Sequence, residues 1–197
     1  VGINSKRFNL KENSTEQEVI ETIETCNQDS EIHGILIQLP LPKHLDTNKI
    51  INKISPDKDV DGLTRNSLGK LILGEKTFIS ATPKGVMKLL EHYNIEVKGK
   101  NVVMVGRSNI VGKPIAILLA NKGATVTICN SKTKNLKEHT LKADIILSAT
   151  GKPHLITKDH VKEDVIAIDI GIDKDQEGKL RGDIHPEVKE KASYSPP

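Results

Sequence analysis

An α/β protein, with a doubly wound parallel sheet domain preceded by a smaller α/β domain, is what the sequence predicts. Short β-branched runs recur at Asn101 to Val105, Thr125 to Cys129, Asp144 to Ala149 and Val165 to Ile170, and helical stretches separate at least the first three. That alternation reads as βαβ units with right-handed crossovers and therefore a parallel sheet. A helical pattern restarts near Thr82 after a stretch from Gly74 to Thr82 that reads as linker and hinge, which divides the chain into domains at 1–78 and 79–197. The 197 residues, 36% hydrophobic and 28% charged, lie in the ordinary range of chains that bury a core.

The elements follow in order. Val1-Gly2, with no methionine, reads as the tail of an element that begins before the chain. Apolar residues at Val19, Ile20, Ile23 and Cys26 have the spacing of an amphipathic helix over Ser14 to Gln28, with Ser14 and Gln17 placed for a capping box. The run His33 to Leu39 reads as a buried parallel strand ended by Pro40 and Pro42, which puts Gln38 at its carboxyl end. Short helices are expected over Thr47 to Ile54 and around Ser67 to Leu73, flanking a loop from Ser55 to Gly62. Thr82 can cap the next helix, Pro83 suits its first position, and Val86, Leu89, Leu90 and Tyr93 form its apolar stripe. Glu177-Gly178, between Ile170-Gly171-Ile172 and Leu180 to Ile184, predicts a hairpin that serves as a dimerisation arm or as a covered sheet edge, the arm being favoured.

Composition narrows the classes of function. No segment approaches the roughly 20 apolar residues of a membrane helix, and the N-terminus has no signal-peptide pattern, so an intracellular, cytoplasmic protein is expected. Cys26 and Cys129 fit no CxxC or Cys/His pattern and read as reduced, buried thiols; the seven histidines are scattered without HExxH, so no metal site is expected. The net charge of +3 is slight, aromatics are only 2%, and the basic tract Lys132 to Lys137 is short, so nucleic acid is not an expected partner.

The strongest local signal is Val102-Val103-Met104-Val105-Gly106-Arg107-Ser108-Asn109-Ile110-Val111-Gly112-Lys113-Pro114, a strand, a glycine turn and the start of a helix. Such a turn lets the backbone bend tightly and offers helix N–H groups and the positive end of the dipole to a pyrophosphate. Ser108 stands where GxGxxG has its middle glycine, so an ordinary βα turn that needs Gly106 for geometry is the plain alternative. After the next strand an NAD site carries an acidic residue for the ribose 2′-hydroxyl. Here the chain reads Cys129-Asn130-Ser131-Lys132-Thr133-Lys134. Arg107 with Ser131 and Lys132 can clamp an extra 2′-phosphate, which favours NADP; a solvated lysine loop is the other reading. Ser148-Ala149-Thr150-Gly151 and Asp169-Ile170-Gly171-Ile172 each end a strand with a glycine. Thr150, Gly151 and Ile172 are therefore placed at the nicotinamide half of the cofactor, with Gly106, Arg107, Ser108, Ile110 and Gly112 under its phosphates.

Three motifs stand in order: Gln38-Leu39-Pro40-Leu41-Pro42, Pro56-Asp57-Lys58-Asp59-Val60-Asp61-Gly62 and the glycine turn Gly106 to Pro114. Together with Thr82-Pro83-Lys84-Gly85, Ser131-Lys132-Thr133 and Ala149 to Pro153, the chain resembles the bifunctional methylenetetrahydrofolate dehydrogenase/methenyltetrahydrofolate cyclohydrolase family along nearly its whole length. The resemblance implies a Rossmann-like NADP domain and a smaller folate-binding domain with a cleft between them, in a homodimeric enzyme of one-carbon metabolism. It implies hydride transfer from 5,10-methylenetetrahydrofolate to NADP and hydrolysis of the methenyl product to 10-formyltetrahydrofolate. It also implies that Gln38 lies beside a catalytic lysine and helps set its protonation, and that Asp61 binds the pterin ring. A turn residue before Gly62 and a polar strand end are the plain alternatives for Asp61 and Gln38. The family's catalytic tyrosine and lysine precede the position of Val1, and no residue of the chain carries those roles; Lys58 and Lys84 read as electrostatic or solvated residues. Ser195-Pro196-Pro197 corresponds to the start of the family's proline- and glycine-rich segment. Two other readings stay open: a two-domain NADP oxidoreductase acting on an amino acid or a shikimate-like acid, and a catalytically dead nucleotide-binding or dimerisation module.

Overall fold

The computed structural model describes residues 2–175 and 177–194. Val1 and the stretch Ser195 to Pro197, to which two of the expectations above refer, lie outside the described residues. The chain divides into two compact units, Val1–Ile79 and Ser80–Pro197.

The first unit is mainly helical. Helix α1 (Glu16–Gln28) turns Val19, Ile20, Ile23 and Cys26 inward, as their spacing requires. Its capping box is one residue later than expected: Thr15 is the N-cap, its Oγ1 accepting from Glu18 N–H at 3.2 Å while Glu18 Oε2 accepts from Thr15 N–H at 2.7 Å. A carboxylate at the third position suits the helix dipole better than the Gln17 amide does. Helix α2 (Thr47–Ile51), capped by Asp46, is shorter than the expected span to Ile54, and α3 (Arg65–Leu73), capped by Thr64, starts two residues earlier than expected and ends on Gly74 in the left-handed region. Ile35, Leu45, Ile50 and Ile54 complete a core around the inner face of α1.

The strand expected over His33 to Leu39 does not form among the described residues. Only Ile35 pairs, in a parallel bridge to Asp59 with its N–H on Lys58 O at 2.8 Å, and Leu36 is 61% exposed. An apolar run becomes a strand only where a neighbouring backbone pairs along its length, and here one short loop pairs with one residue.

The second unit is the parallel α/β domain. Helix α4 (Ala81–His92) is followed by β1 (Asn101–Val105), α5 (Gly112–Asn121), β2 (Thr125–Cys129), α6 (Leu136–Thr140), β3 (Ile145–Ser148) and β4 (Val165–Asp169). A hairpin, β5 (Ile172–Lys174) with β6 (Leu180–Gly182), and an edge strand β7 (Ala192–Tyr194) close the unit. The five-stranded sheet runs β2-β1-β3-β4-β7, each neighbouring pair parallel. Alternate strand residues enter separate cores: Val102, Met104, Ile145, Leu147 and Ile168 pack with Leu90, Ile115 and Leu119 from α4 and α5, while Val103, Val105, Ile146, Val165 and Ala167 pack with Ala143, Ile156, Val161 and Val188. Covering on both faces explains why β1, β3 and β4 read as continuous apolar runs, whereas the edge strand β2 is largely exposed. Ser80, not Thr82, is the N-cap of α4, and Pro83 falls on its third residue, where a missing N–H still costs nothing. The hairpin turns where expected, with the Asp175 carboxylate accepting from Glu177 N–H, Lys179 N–H and Arg181 Nε. Both cysteines are free and buried, as expected. Among the described residues no helix is long and apolar enough to cross a membrane.

Candidate active-site residues in the two units

The acidic loop of the first unit is pinned from two sides. Lys58 Nζ donates to Cys26 O, Asn27 O and Asp29 O at 2.9, 2.8 and 2.7 Å, so one ammonium satisfies the carbonyls that end α1. Lys58 is thus a helix cap, neither a solvated residue nor an available acid or base. Asp59, buried next to it, accepts from Leu63 N–H, Thr64 N–H and Ser67 Oγ at the start of α3, the shortest bond being 2.7 Å. Burial pushes its acidity towards weakness, but those donors outweigh burial and hold its carboxyl below the ordinary aspartate value.

Asp61 contrasts with its neighbour. It is half-buried, and among the described residues its carboxylate accepts no hydrogen bond. Desolvation, and after it the charge of Asp59, pushes its carboxyl above the ordinary value. A partly buried acceptor without a protein partner keeps its lone pairs open to other donors. Gln38 is exposed, its Nε2 donating to Leu39 O at 3.1 Å. Gln38 and Asp61 lie three and two residues beyond the single Ile35–Asp59 bridge, which brings both to one end of the unit.

In the second unit, β1 lies between β2 and β3, and the carboxyl ends of all three meet at the point where strand order reverses. Open α/β sheets bind ligands there. Gly106 leaves β1 at φ +125°, with its N–H on Cys129 O at 2.9 Å, and a Cβ on it would lie 2.5 Å from Ala149 O. A Cβ on Gly112 would collide with the carbonyl of Gly106. The turn therefore folds back on itself through two positions that admit no side chain.

One expectation needs correction: the first turn of α5 does not offer free N–H groups. Ser108 Oγ accepts from Val111 N–H and Gly112 N–H at 3.1 and 3.2 Å, Ser108 O accepts from Lys113 N–H, and Pro114 has none. The Ser108 hydroxyl thus satisfies N–H groups at the start of α5, for which a glycine in its place has no side chain. The donors without an acceptor among the described residues are one step earlier, the N–H groups of Arg107, Ser108, Asn109 and Ile110. Ser80 Oγ, donating to Ile110 O at 3.1 Å, holds this turn to the start of α4.

The Gly106–Cys129 bond sets the turn beside the loop after β2. Asn130 N–H donates to Thr133 Oγ1 at 2.8 Å and Lys132 N–H to Asn130 Oδ1 at 3.0 Å, which leaves Arg107, Ser131 and Lys132 exposed, with no carboxylate in the loop. On the β3 side Thr150 donates through both N–H and Oγ1 to Asp183, at 2.6 and 2.9 Å, next to Gly151, while Ile172 stands 65% exposed at the start of β5. Asp183 was not singled out from sequence; an aspartate after a strand end in a hairpin gives no local sign of what it will touch.

The matched models describe two domains in order. The model of the tetrahydrofolate dehydrogenase/cyclohydrolase catalytic domain matches residues 1–61, and that of the family's NAD(P)-binding domain matches residues 80–197. The chain belongs to the tetrahydrofolate dehydrogenase/cyclohydrolase family. It is 53% identical over its whole length to the bifunctional protein FolD of Clostridium novyi, of which it spans 71%. Among solved structures, the bifunctional FolD enzyme of Campylobacter jejuni superposes with a TM-score of 0.92 at 47% identity, covering 94% of this chain and 67% of that one. The Trypanosoma brucei family enzyme, complexed with NADP cofactor and an inhibitor, superposes at 0.87 with 34% identity, covering 94% and 66%. The fold class expected from sequence is that of these family members. Neither the amino-acid or shikimate-like oxidoreductase nor the dead module finds support among them.

Because Asp59 is held below the ordinary carboxylate value of 3.8, its bonds stabilise the fold above that pH and are lost as pH falls through its lowered value. Asp59→Asn should therefore cost about 1–3 kcal/mol at neutral pH in urea titrations, with the deficit shrinking on acidification below the ordinary carboxylate range. A deficit that stays constant with pH would contradict this account.

Proposed function

We propose that the chain supplies folate-binding and NADP-binding residues for a bifunctional enzyme. That enzyme oxidises 5,10-methylenetetrahydrofolate to 5,10-methenyltetrahydrofolate and hydrolyses the latter to 10-formyltetrahydrofolate. The observation that carries the reading is a family match in both units, joined to a glycine turn built without room for side chains. Residues 1–78 provide the folate side and residues 79–197 the NADP side.

The residues fit that chemistry. NADP, when bound, accepts the hydride. The free N–H groups of the turn from Arg107 to Ile110 suit its pyrophosphate, with Gly106 and Gly112 allowing the backbone to approach. Arg107, Ser131 and Lys132 hold the 2′-phosphate, for which an acidic loop would be repulsive. Thr150, Gly151 and Ile172 border the nicotinamide half. The Asp61 carboxylate, short of donors, accepts paired N–H bonds from the pterin's aminopyrimidinone ring. Gln38, a neutral amide, orients the amine of the family's catalytic lysine without locking it in a charged pair. The protein works in the cytoplasm as a homodimer, in which the β5–β6 hairpin, with Leu180 60% exposed, is the arm.

These roles have separate tests. Turnover of methylenetetrahydrofolate, followed as NADPH formation in the full-length gene product, tests the activity itself; no reduction of NADP with this substrate would refute it. Arg107→Ala should weaken NADP by about tenfold to a hundredfold, the range of a charge-assisted bond, and leave NAD nearly unchanged in calorimetric titrations. Equal losses would remove the 2′-phosphate clamp. Asp61→Ala should abolish both activities while NADP affinity stays intact, and unaltered turnover would end the pterin assignment. For the dimer arm, Leu180→Asp should shift sedimentation from dimer to monomer; an unshifted dimer would place the interface elsewhere.

A further inference from the structure

The turn after β3 is held from outside, by a buried carboxylate of a distant segment. Four donors converge on the fully buried carboxylate of Asp183: Ser148 Oγ at 2.8 Å, Thr150 N–H at 2.6 Å and Thr150 Oγ1 at 2.9 Å on Oδ2, and Lys152 N–H at 2.8 Å on Oδ1. Among the described residues Asp183 has no salt bridge, so nothing but these dipoles compensates its burial. The backbone is sewn along the same line, with His154 N–H on Gly182 O and Ile156 N–H on Asp183 O, both at 3.0 Å.

Asp183 is in turn locked to the end of β4. Asp169 accepts from Asp183 N–H at 3.0 Å and from Ile184 N–H at 2.9 Å. The lock is reciprocal: a Cβ on Gly171 would collide with the Asp183 carboxylate, and a Cβ on Gly182 with that of Asp169. Each carboxylate thus fills the space left by a glycine beside the other. The turn so shaped is the one whose Ala149 carbonyl touches Gly106, which makes it the wall of the glycine turn on the β3 side. The loop carrying Ser131 and Lys132 is on the other side, after β2.

We propose that Asp183 is a positioning residue for the nicotinamide half of the bound dinucleotide, giving the Ala149 to Lys152 turn its shape without touching the ligand. This rests on the NADP reading above. A dinucleotide lying across the switch point with its 2′-phosphate on the β2 side extends its other half over the β3 and β4 ends. Asp183→Asn leaves size almost unchanged but puts an amide donor against hydroxyl and N–H donors, so the turn loses its template.

Calorimetric titration of this chain with NADP and, separately, with adenosine 2′,5′-bisphosphate, which lacks the nicotinamide half, decides the matter. Asp183→Asn should weaken NADP by about tenfold, the effect of bonds to a charged group, and change adenosine 2′,5′-bisphosphate less than about twofold. A merely structural defect would weaken both equally, and that result, or an unchanged NADP affinity, would overturn the proposal. If Asp183→Asn does not fold, Ser148→Ala takes its place: it removes one of the four bonds and should show a smaller loss of the same selectivity, and an unselective effect would overturn the proposal equally. Failure of the unaltered chain to bind either ligand would bring down the NADP reading, and this proposal with it, whereas Arg107→Ala, weakening both ligands together, separates the two.

Discussion

The parallel ladder through β1 is the constraint on which the second unit depends. β1 has β2 on one side and β3 on the other, so three carboxyl ends arrive at one edge, and the backbone there must turn without side chains between its layers. Gly106 against Ala149, and Gly112 against Gly106, are the consequences of that crowding. The loop after β2 is bonded to this turn through Cys129 O, and on the other side the turn after β3, held by Asp183, meets it at the Ala149 carbonyl. Two apolar cores, one on each face, keep the ladder in place.

The first unit has a different arrangement, with Lys58 and Asp59 fully engaged beside an Asp61 carboxylate that has no partner among the described residues. Lys58 and Asp59 are adjacent in sequence but point to opposite anchors, the end of α1 and the start of α3. Between those anchors and Gly62 the chain has little freedom, and Asp61 emerges with no partner among the described residues. Neighbouring carboxyls are thereby driven apart in acidity, Asp59 downward by its donors and Asp61 upward by desolvation and by Asp59 itself.

Much of this was legible in the residues alone. The strands β1 to β4, the helix after the glycine turn and the hairpin at Glu177-Gly178 were expected where they form, because parallel strands and tight turns leave local signals in β-branched runs and glycines. The run His33 to Leu39 misled for a definite reason: apolar residues announce burial, whereas a strand also needs a backbone partner, and only Ile35 has one. Ser108 was expected under the cofactor's phosphates, in the place of a motif glycine, yet its Oγ accepts from Val111 N–H and Gly112 N–H, the groups that a helix-end phosphate site would offer. Lys58 looked solvated because a lysine in a polar loop does so until the carbonyls it meets are known.

The sequence by itself determined the α/β class, the family, the glycine turn and the basic loop that replaces an acidic residue after β2, since each is written in neighbouring residues or in motifs a few residues long. Only the tertiary structure decided which donors of that turn have no acceptor among the described residues, that Asp61 has no partner among them, and that Asp183 accepts from a turn more than thirty residues before it. These are long-range facts: a hydrogen bond between distant segments depends on how the chain returns, and no local pattern encodes which carboxylate will meet which glycine.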